Sequence, residues 1–275
     1  MKSTNWCVLF VIIMFVRLLR LMTEYNFKYK IFYRLPLAWN NRLQGLPAIV
    51  IGGGGSVNKY KIFLEQNYKK FITIGINRIF TPYIKIDPSF LMWQDESLHQ
   101  ARKDLIELQK LKSIKFSRSK AGCHSVPSFN FNIDKVHKKP LNLLELTGMG
   151  SSGHLACQIA YLLGCSPIVV LGLDGRYDKK TDFYGDNPYY TDKDRAMKRH
   201  QKGIKWFFKF AVRNNIDLIN LSANGKPREK PSEQELYDKL YVNDDSRQYI
   251  WNKLYMFNEQ KCIKKIKKVI NRKIK

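Results

Sequence analysis

PAIVIGGGGSVNK, residues 47–59, indicates the fold class, because a short apolar run ends in four glycines and then enters a helical pattern. Ile62, Phe63 and Leu64 continue that pattern, which predicts a strand, a tight loop and a helix. Glycines let backbone amides approach a phosphate, and a helix N-terminus adds partial positive charge. The loop lacks the Lys-Ser/Thr pair of a P-loop, which argues against a Walker-type NTPase.

Apolar runs and longer periodic segments alternate through most of the chain. The predicted strands are residues 47–52, 71–75, 90–93, 168–172 and 216–221, and the predicted helices are residues 58–70, 96–112, 152–164 and 192–214. Residues 117–140 show little periodicity and are predicted to form a loop or an insertion. The alternation predicts an α/β fold: a Rossmann-like, doubly wound, mainly parallel sheet with helical N- and C-terminal extensions.

The composition excludes several classes of protein. Of the 275 residues, 44% are hydrophobic, which excludes wholesale disorder. The formal net charge of +25 predicts an anionic partner, although a lysine-rich genome bias would give part of that charge. The sequence has no nucleic-acid recognition motif, so no specific nucleic-acid partner is expected. The five cysteines include no CxxC pair, which argues against a zinc ribbon or a disulfide framework and favours the cytoplasm.

The two ends of the chain differ from its middle. Residues 5–16 form an uncharged run that is shorter than the roughly 20 residues of a spanning helix. This run is a short anchor, a core helix, or sequence upstream of a true start at Met22. Residues 261–275 combine eight basic residues with apolar residues at helical spacing, which predicts either a helix on an anionic membrane surface or a solvated tail. The predicted domains are residues 1–43 (apolar and basic extension), 44–225 (nucleotide-binding catalytic domain) and 226–275 (helical basic tail).

Candidate functional residues follow the predicted strands, because ligands of such sheets bind beyond the carboxyl ends of the strands. Asn77 follows the second strand, where the Rossmann fingerprint requires an acidic residue, and this argues against NAD. Asp95 would contact a base, a ribose or a metal, or would cap the next helix. Asp174 is a candidate ligand or metal-binding residue. Ser151 begins a second glycine- and hydroxyl-rich helix start, and His200 is a candidate base.

Two stretches carry a resemblance to a known family. QGLPAIVIGGGGSVNK (residues 44–59) and GSSGHLACQIAYLLGCSPIVVLGLDGRY (residues 150–177) resemble the MptE-like family, which includes archaeal 6-hydroxymethylpterin diphosphokinase and bacterial flagellin-glycosylation proteins. They are similar, more distantly, to family 42 bacterial sialyltransferases. The family pattern falls on Gly53, Gly55, Ser56, Asn77, Ser151, Ser152, Gly153, Gly172 and Asp174. The resemblance spans residues 46–221, and Gly55 replaces the usual proline, which loosens the loop.

The resemblance implies a glycosyltransferase that uses a nucleotide-activated sugar, such as a CMP-nonulosonic acid, to make surface glycans or glycoproteins. His200 would deprotonate the acceptor hydroxyl, while Tyr177 and Tyr184 would stabilise the leaving phosphate. The spacing to His200 departs from the family pattern, and Tyr177 is offset by one residue. Asp174 would complete the catalytic set. The implied nucleotide-binding residues are Gly53, Gly54, Gly55, Ser56, Asn77, Asp95, Ser151, Ser152 and Gly153.

This hypothesis requires no metal or other cofactor. Its partners are the donor and a glycan or lipid-linked acceptor, and residues 261–275 would hold the enzyme at the inner face of an anionic membrane. The alternative is a diphosphokinase of the pterin type, in which ATP is the donor and Asp95 and Asp174 hold Mg²⁺. His200 would then be incidental. A non-enzymatic nucleotide or nucleic-acid binder, driven by the net charge, ranks last.

Overall fold

The structure is a computed structural model that describes most of the chain. The described residues are 32–80, 82–94, 102–118, 126, 128–134, 139–140, 142–148, 151–175, 182–185, 192–222 and 231–256. The predicted anchor at residues 5–16 and the predicted basic helix at residues 261–275 lie outside them. No helix within the described ranges is both long and apolar enough to span a bilayer.

An eight-stranded parallel sheet forms the centre of the molecule. Its strands are β1 (Ala48–Ile51), β2 (Ile72–Ile76), β3 (Phe90–Trp93), β4 (Ile114–Arg118), β5 (Phe129–Asp134), β6 (Glu145–Thr147), β7 (Ile168–Leu171) and β8 (Leu218–Asn220). Their order across the sheet is β6-β5-β4-β3-β2-β1-β7-β8. The predicted parallel α/β fold is therefore confirmed.

Helices cover both faces of the sheet. The α-helices are α1 (Val57–Asn67), α2 (Arg102–Lys110), α3 (Ser152–Leu162), α4 (Lys193–Arg213), α5 (Glu233–Leu240) and α6 (Ser246–Trp251). Shorter helical segments are the 3₁₀ helices Phe32–Trp39 and Tyr68–Lys70 and the π-helix Asn252–Met256. The helical segments before β1 and after β8 agree with the predicted extensions.

β1 shows why the sheet is covered on both faces. Its four residues are fully buried, as expected for a central parallel strand. Ile49 and Ile51 pack into the apolar layer that contains α1 and α5, whereas Ala48 and Val50 pack into the layer that contains α3 and α4. The alternation of side chains along a strand thus divides one apolar run between two cores.

The described residues within 117–140 are mostly strand, so the prediction of a loop was wrong for them. They contain the end of β4 and all of β5, which pair in parallel through Phe116 and Phe129. In β5 the residues Phe129, Phe131 and Ile133 alternate with polar residues, a pattern that indicates a strand with one face towards a core. β6 was also absent from the predicted strands, and it extends the sheet beyond β5.

The C-terminal helices pack onto the same body as the sheet. Leu236 and Leu240 of α5 are fully buried in the α1 layer. Ile250 of α6 and Leu254 are buried in the opposite layer. The division of the chain at residue 226 therefore stays a prediction, and the described residues beyond it contribute to both cores.

Candidate active site

The candidate site lies where the direction of winding of the sheet reverses. β1 is the strand from which the chain proceeds first to β2 and later to β7, so the loops after β1 and β7 diverge. A cleft of about 620 Å³, including the space open to solvent, lies beyond these strand ends. Among the predicted site residues it is lined by Gly53, Gly54, Asn77, Ser151, Ser152, Gly153, Asp174, Tyr184 and His200.

The other four predicted site residues are placed differently. Gly55 is exposed, and a Cβ atom built on it would meet no atom within 4 Å. Ser56 begins α1 but is not among the residues that line the cleft. Asp95 and Tyr177 lie outside the described residues. The structure therefore brings together the loops after β1, β2 and β7 with the start of α3 and the middle of α4.

Asp174 is bound to the start of α1. Its Oδ2 accepts a hydrogen bond from the Ser56 amide at 2.8 Å, and its Oδ1 accepts one from the Ser56 hydroxyl at 2.6 Å. The Ser56 hydroxyl oxygen also accepts a hydrogen bond from the Gly172 amide at 3.1 Å. The carboxylate occupies the place at a helix N-terminus that an anion would take, so Asp174 ties the β7 loop to α1.

The glycine loop is packed closely against this carboxylate. The Gly54 amide donates to the Gly172 carbonyl at 2.8 Å. A Cβ atom on Gly54 would lie 2.6 Å from Asp174 Oδ2, which explains why glycine is needed there. Because the amides of Gly54 and Ser56 already have protein acceptors, the predicted phosphate cradle at α1 is largely filled by the protein itself.

The start of α3 is the second helix end at the cleft. Its N-cap residue, Ser151, makes no side-chain capping hydrogen bond, and the first turn of the helix has no acidic residue. Ser151, Ser152 and Gly153 all line the cleft. The first-turn amides of a helix lack intrahelical acceptors, so this end is suited to bind an anion.

Asn77 presents an unsatisfied polar atom at the cleft. It has a left-handed backbone with φ of 54°, and its amide donates to the Met92 carbonyl at 3.0 Å. Its Oδ1 is buried and has no hydrogen-bond partner among the described residues. Buried acceptors are nearly always satisfied, so this oxygen is placed to accept a hydrogen bond from a ligand.

Arg78 is a cleft residue that the sequence analysis missed. Its side chain is 5% exposed, and its Nε lies 2.7 Å from Oδ2 of the fully buried Asp104. The Tyr83 hydroxyl donates to Oδ1 of the same carboxylate at 2.7 Å. The available signal was its position, because a charged residue directly follows Asn77 at the end of a predicted strand.

Tyr184 and Asp182 form a pair at the cleft wall. The Tyr184 hydroxyl donates to Asp182 Oδ2 at 2.9 Å, and both residues line the cleft. Burial, and then the negative charge of Asp182, raises the pKa of Tyr184 above its usual value. The Tyr184 phenol is therefore protonated at neutral pH. To donate to a leaving phosphate, its hydroxyl would first have to break its hydrogen bond to Asp182. Asp182 is a second cleft residue that the sequence analysis missed.

The cleft contains a histidine that is neutral at physiological pH. His200 is half-buried on α4, and burial, followed by the nearby charge of Arg199, lowers its pKa to about 4. A neutral imidazole can accept a proton, so His200 is in the protonation state that a general base requires. That His200 acts as the general base remains a prediction.

A second histidine, His154, lies behind the cleft on α3. It is fully buried, and neither ring nitrogen has a hydrogen-bond partner among the described residues. Burial lowers the pKa of His154 to about 4, and the backbone near Thr147 and Ser151 offsets part of this lowering. Its ring contacts Trp206 edge to face. An unpaired buried imidazole of this kind makes stability depend on pH.

We expect the protein to lose stability as the pH falls from about 6.5 to about 4, because the unfolded chain binds a proton at His154 that the folded chain does not. Between pH 7 and pH 4.5 this histidine alone contributes about 2–3 kcal/mol of that loss. The variant His154→Leu should therefore show a shallower decline in the free energy of unfolding, measured by urea titration at both pH values. An identical decline in the two proteins would contradict the assignment.

Comparisons with known proteins give a matching family and a similar solved structure. A family model described as "6-hydroxymethylpterin diphosphokinase MptE-like" matches residues 25–180. A solved structure, that of the MAf glycosyltransferase from Magnetospirillum magneticum AMB-1, is similar at 14% identity and a TM-score of 0.48. The similarity covers 81% of this chain and 41% of that one, so this chain spans about two fifths of the length of that protein. No protein with a curated description matches the chain.

Proposed function

The chain belongs to the MptE-like family, and from that premise we propose that it is a transferase of the glycosyltransferase type. Its donor is a nucleotide-activated sugar of the CMP-nonulosonic-acid class, and its products are surface glycans or glycoproteins. The reaction takes place in the cytoplasm, where the activated donor is available. The acceptor is a glycan or a lipid-linked glycan.

One observation carries this proposal: the N-terminus of α3 opens into the cleft at the point where winding reverses. Its N-cap side chain makes no capping hydrogen bond, and its first turn has no acidic residue. Asp174 already fills the equivalent position at α1. The donor phosphate therefore binds at α3, in the cleft that Asn77 and Arg78 also line.

The remaining cleft residues suit the transfer of a glycosyl group. His200 removes the proton of the acceptor hydroxyl as that oxygen forms a bond to the anomeric carbon of the donor. The bond from that carbon to the phosphate oxygen breaks, and the nucleotide leaves with both electrons. The amides of the α3 start and the cation of Arg78 stabilise the negative charge that develops on the phosphate.

The diphosphokinase is the second candidate, and the family description favours it. It needs Mg²⁺ held by Asp95 and Asp174. Asp95 is outside the described residues, and both carboxylate oxygens of Asp174 accept hydrogen bonds from Ser56. Within the described ranges no group of three or more His, Cys, Asp or Glu residues is arranged to hold a metal ion. The geometry of Asp174 therefore favours the glycosyltransferase.

A thermal-shift screen separates the two functions. CMP, CDP, UDP, GDP and ATP are each added with and without Mg²⁺. A ligand that binds only the folded state at about 100 times its dissociation constant adds about 2.7 kcal/mol of stability, which raises the melting temperature by about 5 °C. We expect CMP to give this shift without metal.

Matched charge variants locate the phosphate. Ser151→Asp places a carboxylate at the α3 start and should abolish the shift with CMP, and its melting temperature without nucleotide is compared with that of the wild-type protein because Ser151 is buried. Asn58→Asp adds the same charge at an exposed site on α1 and should leave the shift intact. A shift with ATP that requires Mg²⁺ would instead support the diphosphokinase, and no shift with any nucleotide would refute both functions.

A further inference from the structure

The solvent-exposed side of α4 carries a continuous row of basic residues. Seven exposed basic residues lie along the length of the helix, each three or four positions from the next except for the adjacent pair Lys198 and Arg199. They are Arg195, Lys198, Arg199, Lys202, Lys205, Lys209 and Arg213. At 3.6 residues per turn they occupy an arc of about 120°, and they extend about 27 Å along the helix axis. We call these seven residues the α4 basic ridge.

The α4 basic ridge has little counter-charge on its own helix. None of its side chains forms an ion pair among the described residues. Asp194 is the only acidic residue within α4. Like charges three or four residues apart destabilise a helix, so the row lowers the stability of the isolated protein. An external anionic surface would reverse that penalty.

The shape of the ridge favours a flat partner over a small ligand or a single-stranded nucleic acid. The charges lie along a straight helix, and the opposite side of that helix is buried against α3 through residues such as Ile204 and Phe207. Single-stranded nucleic acids are bound by stacking on accessible aromatic rings. On α4 the one tryptophan, Trp206, is half-buried and stacked on Phe210.

We propose that the α4 basic ridge docks the protein on an anionic lipid bilayer, with α4 parallel to the surface. The row of charges is complementary to the headgroups of acidic lipids, and each lysine or arginine near such a surface adds to the affinity. Val212, which is 78% exposed, lies at the edge of the ridge and would contact the headgroup region.

This orientation has a consequence for the cleft. His200 and Ile204 line the cleft from α4, and the Gln201 side chain donates to the Gly175 carbonyl at its wall. Both cleft residues lie on the side of α4 opposite the ridge, so a docked α4 would hold the cleft about one helix diameter, roughly 10 Å, from the bilayer surface. The docking itself does not depend on the proposed chemistry, because binding to vesicles is measured without donor or acceptor.

The test compares two full-length variants that lose the same number of charges. The ridge variant carries Lys198→Gln, Lys202→Gln, Lys205→Gln and Lys209→Gln. The control variant carries Lys59→Gln, Lys69→Gln, Lys85→Gln and Lys239→Gln, at exposed sites on or near the layer of α1 and α5 across the sheet. Each variant lowers the formal net charge from +25 to +21. Both retain the basic residues 261–275.

Sedimentation is measured with vesicles of phosphatidylcholine alone and with vesicles of equal parts phosphatidylcholine and phosphatidylglycerol. We expect the wild-type and control proteins to bind only the anionic vesicles, and the ridge variant to bind them more than about tenfold more weakly. Wild-type binding should also weaken between about 0.1 M and about 1 M salt. Circular dichroism and thermal melting verify that both variants fold.

Three results would overturn the proposal. The first is equal binding of the ridge and control variants, which would assign the affinity to other basic residues. The second is equal binding of the wild-type protein to neutral and anionic vesicles. The third is binding to single-stranded RNA, at the same salt concentration, that the ridge variant loses while vesicle binding is unchanged.

Discussion

Replacing Asp104 by asparagine is expected to lower the free energy of unfolding by about 3–5 kcal/mol. Asp104 is fully buried and forms an ion pair with Arg78, which is itself 5% exposed. Its second oxygen accepts the Tyr83 hydroxyl. Removing the negative charge leaves the guanidinium buried beside a neutral amide, and the lost Coulombic attraction is not replaced by water. Urea unfolding at pH 7 measures the effect.

The same helix provides a matched control. Glu107→Gln removes the same charge from α2, but Glu107 pairs with Lys110, whose side chain is 64% exposed, so the loss should stay below about 1 kcal/mol. A double variant, Arg78→Met with Asp104→Leu, should recover much of the stability lost in Asp104→Asn while it removes the cleft cation. If Asp104→Asn lowers the free energy of unfolding by no more than Glu107→Gln does, the buried ion pair does not contribute the stability that we assign to it.

Replacing His200 by alanine is expected to lower kcat by about 10²–10⁴-fold if the proposed glycosyl transfer is correct. The nucleotide-induced rise in melting temperature should remain, because His200 acts on the acceptor and not on the donor phosphate. The readout is the initial rate of transfer at saturating donor. An unchanged rate of glycosyl transfer in His200→Ala would contradict the assignment of His200 as the base.

The pH profile adds a second test of His200. Its pKa is lowered to about 4, so the base is unprotonated throughout the neutral range and activity should be flat between about pH 6 and pH 8. Activity should fall only as the pH approaches 4. A fall centred near 6.5, the value of an ordinary histidine, would indicate a solvent-exposed base and would contradict this assignment.

The centre of the fold could be predicted because the central strands are apolar along their whole length. The β1 run and the β7 run are buried on both faces, and each is followed by glycine. β5 was missed because only one of its faces meets the core, so Asn130 and Asn132 obscure the alternation of Phe129 and Phe131. Marginal strands of this kind depend on neighbours that are distant in sequence.

Which strand ends meet at the cleft could likewise be predicted, but the hydrogen-bond partners of the side chains there could not. The rule that ligands bind at strand ends selects Gly53, Asn77 and Asp174, and each of them lines the cleft. The same rule gives no information on which polar groups are already bound to one another. Asp174 and Ser56 are 118 positions apart, and Arg78 and Asp104 are 26 apart, so only the folded arrangement shows these pairs.

The bond between Asp174 and Ser56 has a consequence for the choice of substrate. Two helices, α1 and α3, begin at the cleft. The Asp174 carboxylate lies at the start of α1 and neutralises the partial positive charge of that helix end. In the described part of the cleft, the α3 start is the helix end that has neither a side-chain cap nor an acidic residue in its first turn. For the proposed transfer we therefore expect a leaving group with a single phosphate, because a second phosphate at the α1 end would lie next to the Asp174 carboxylate.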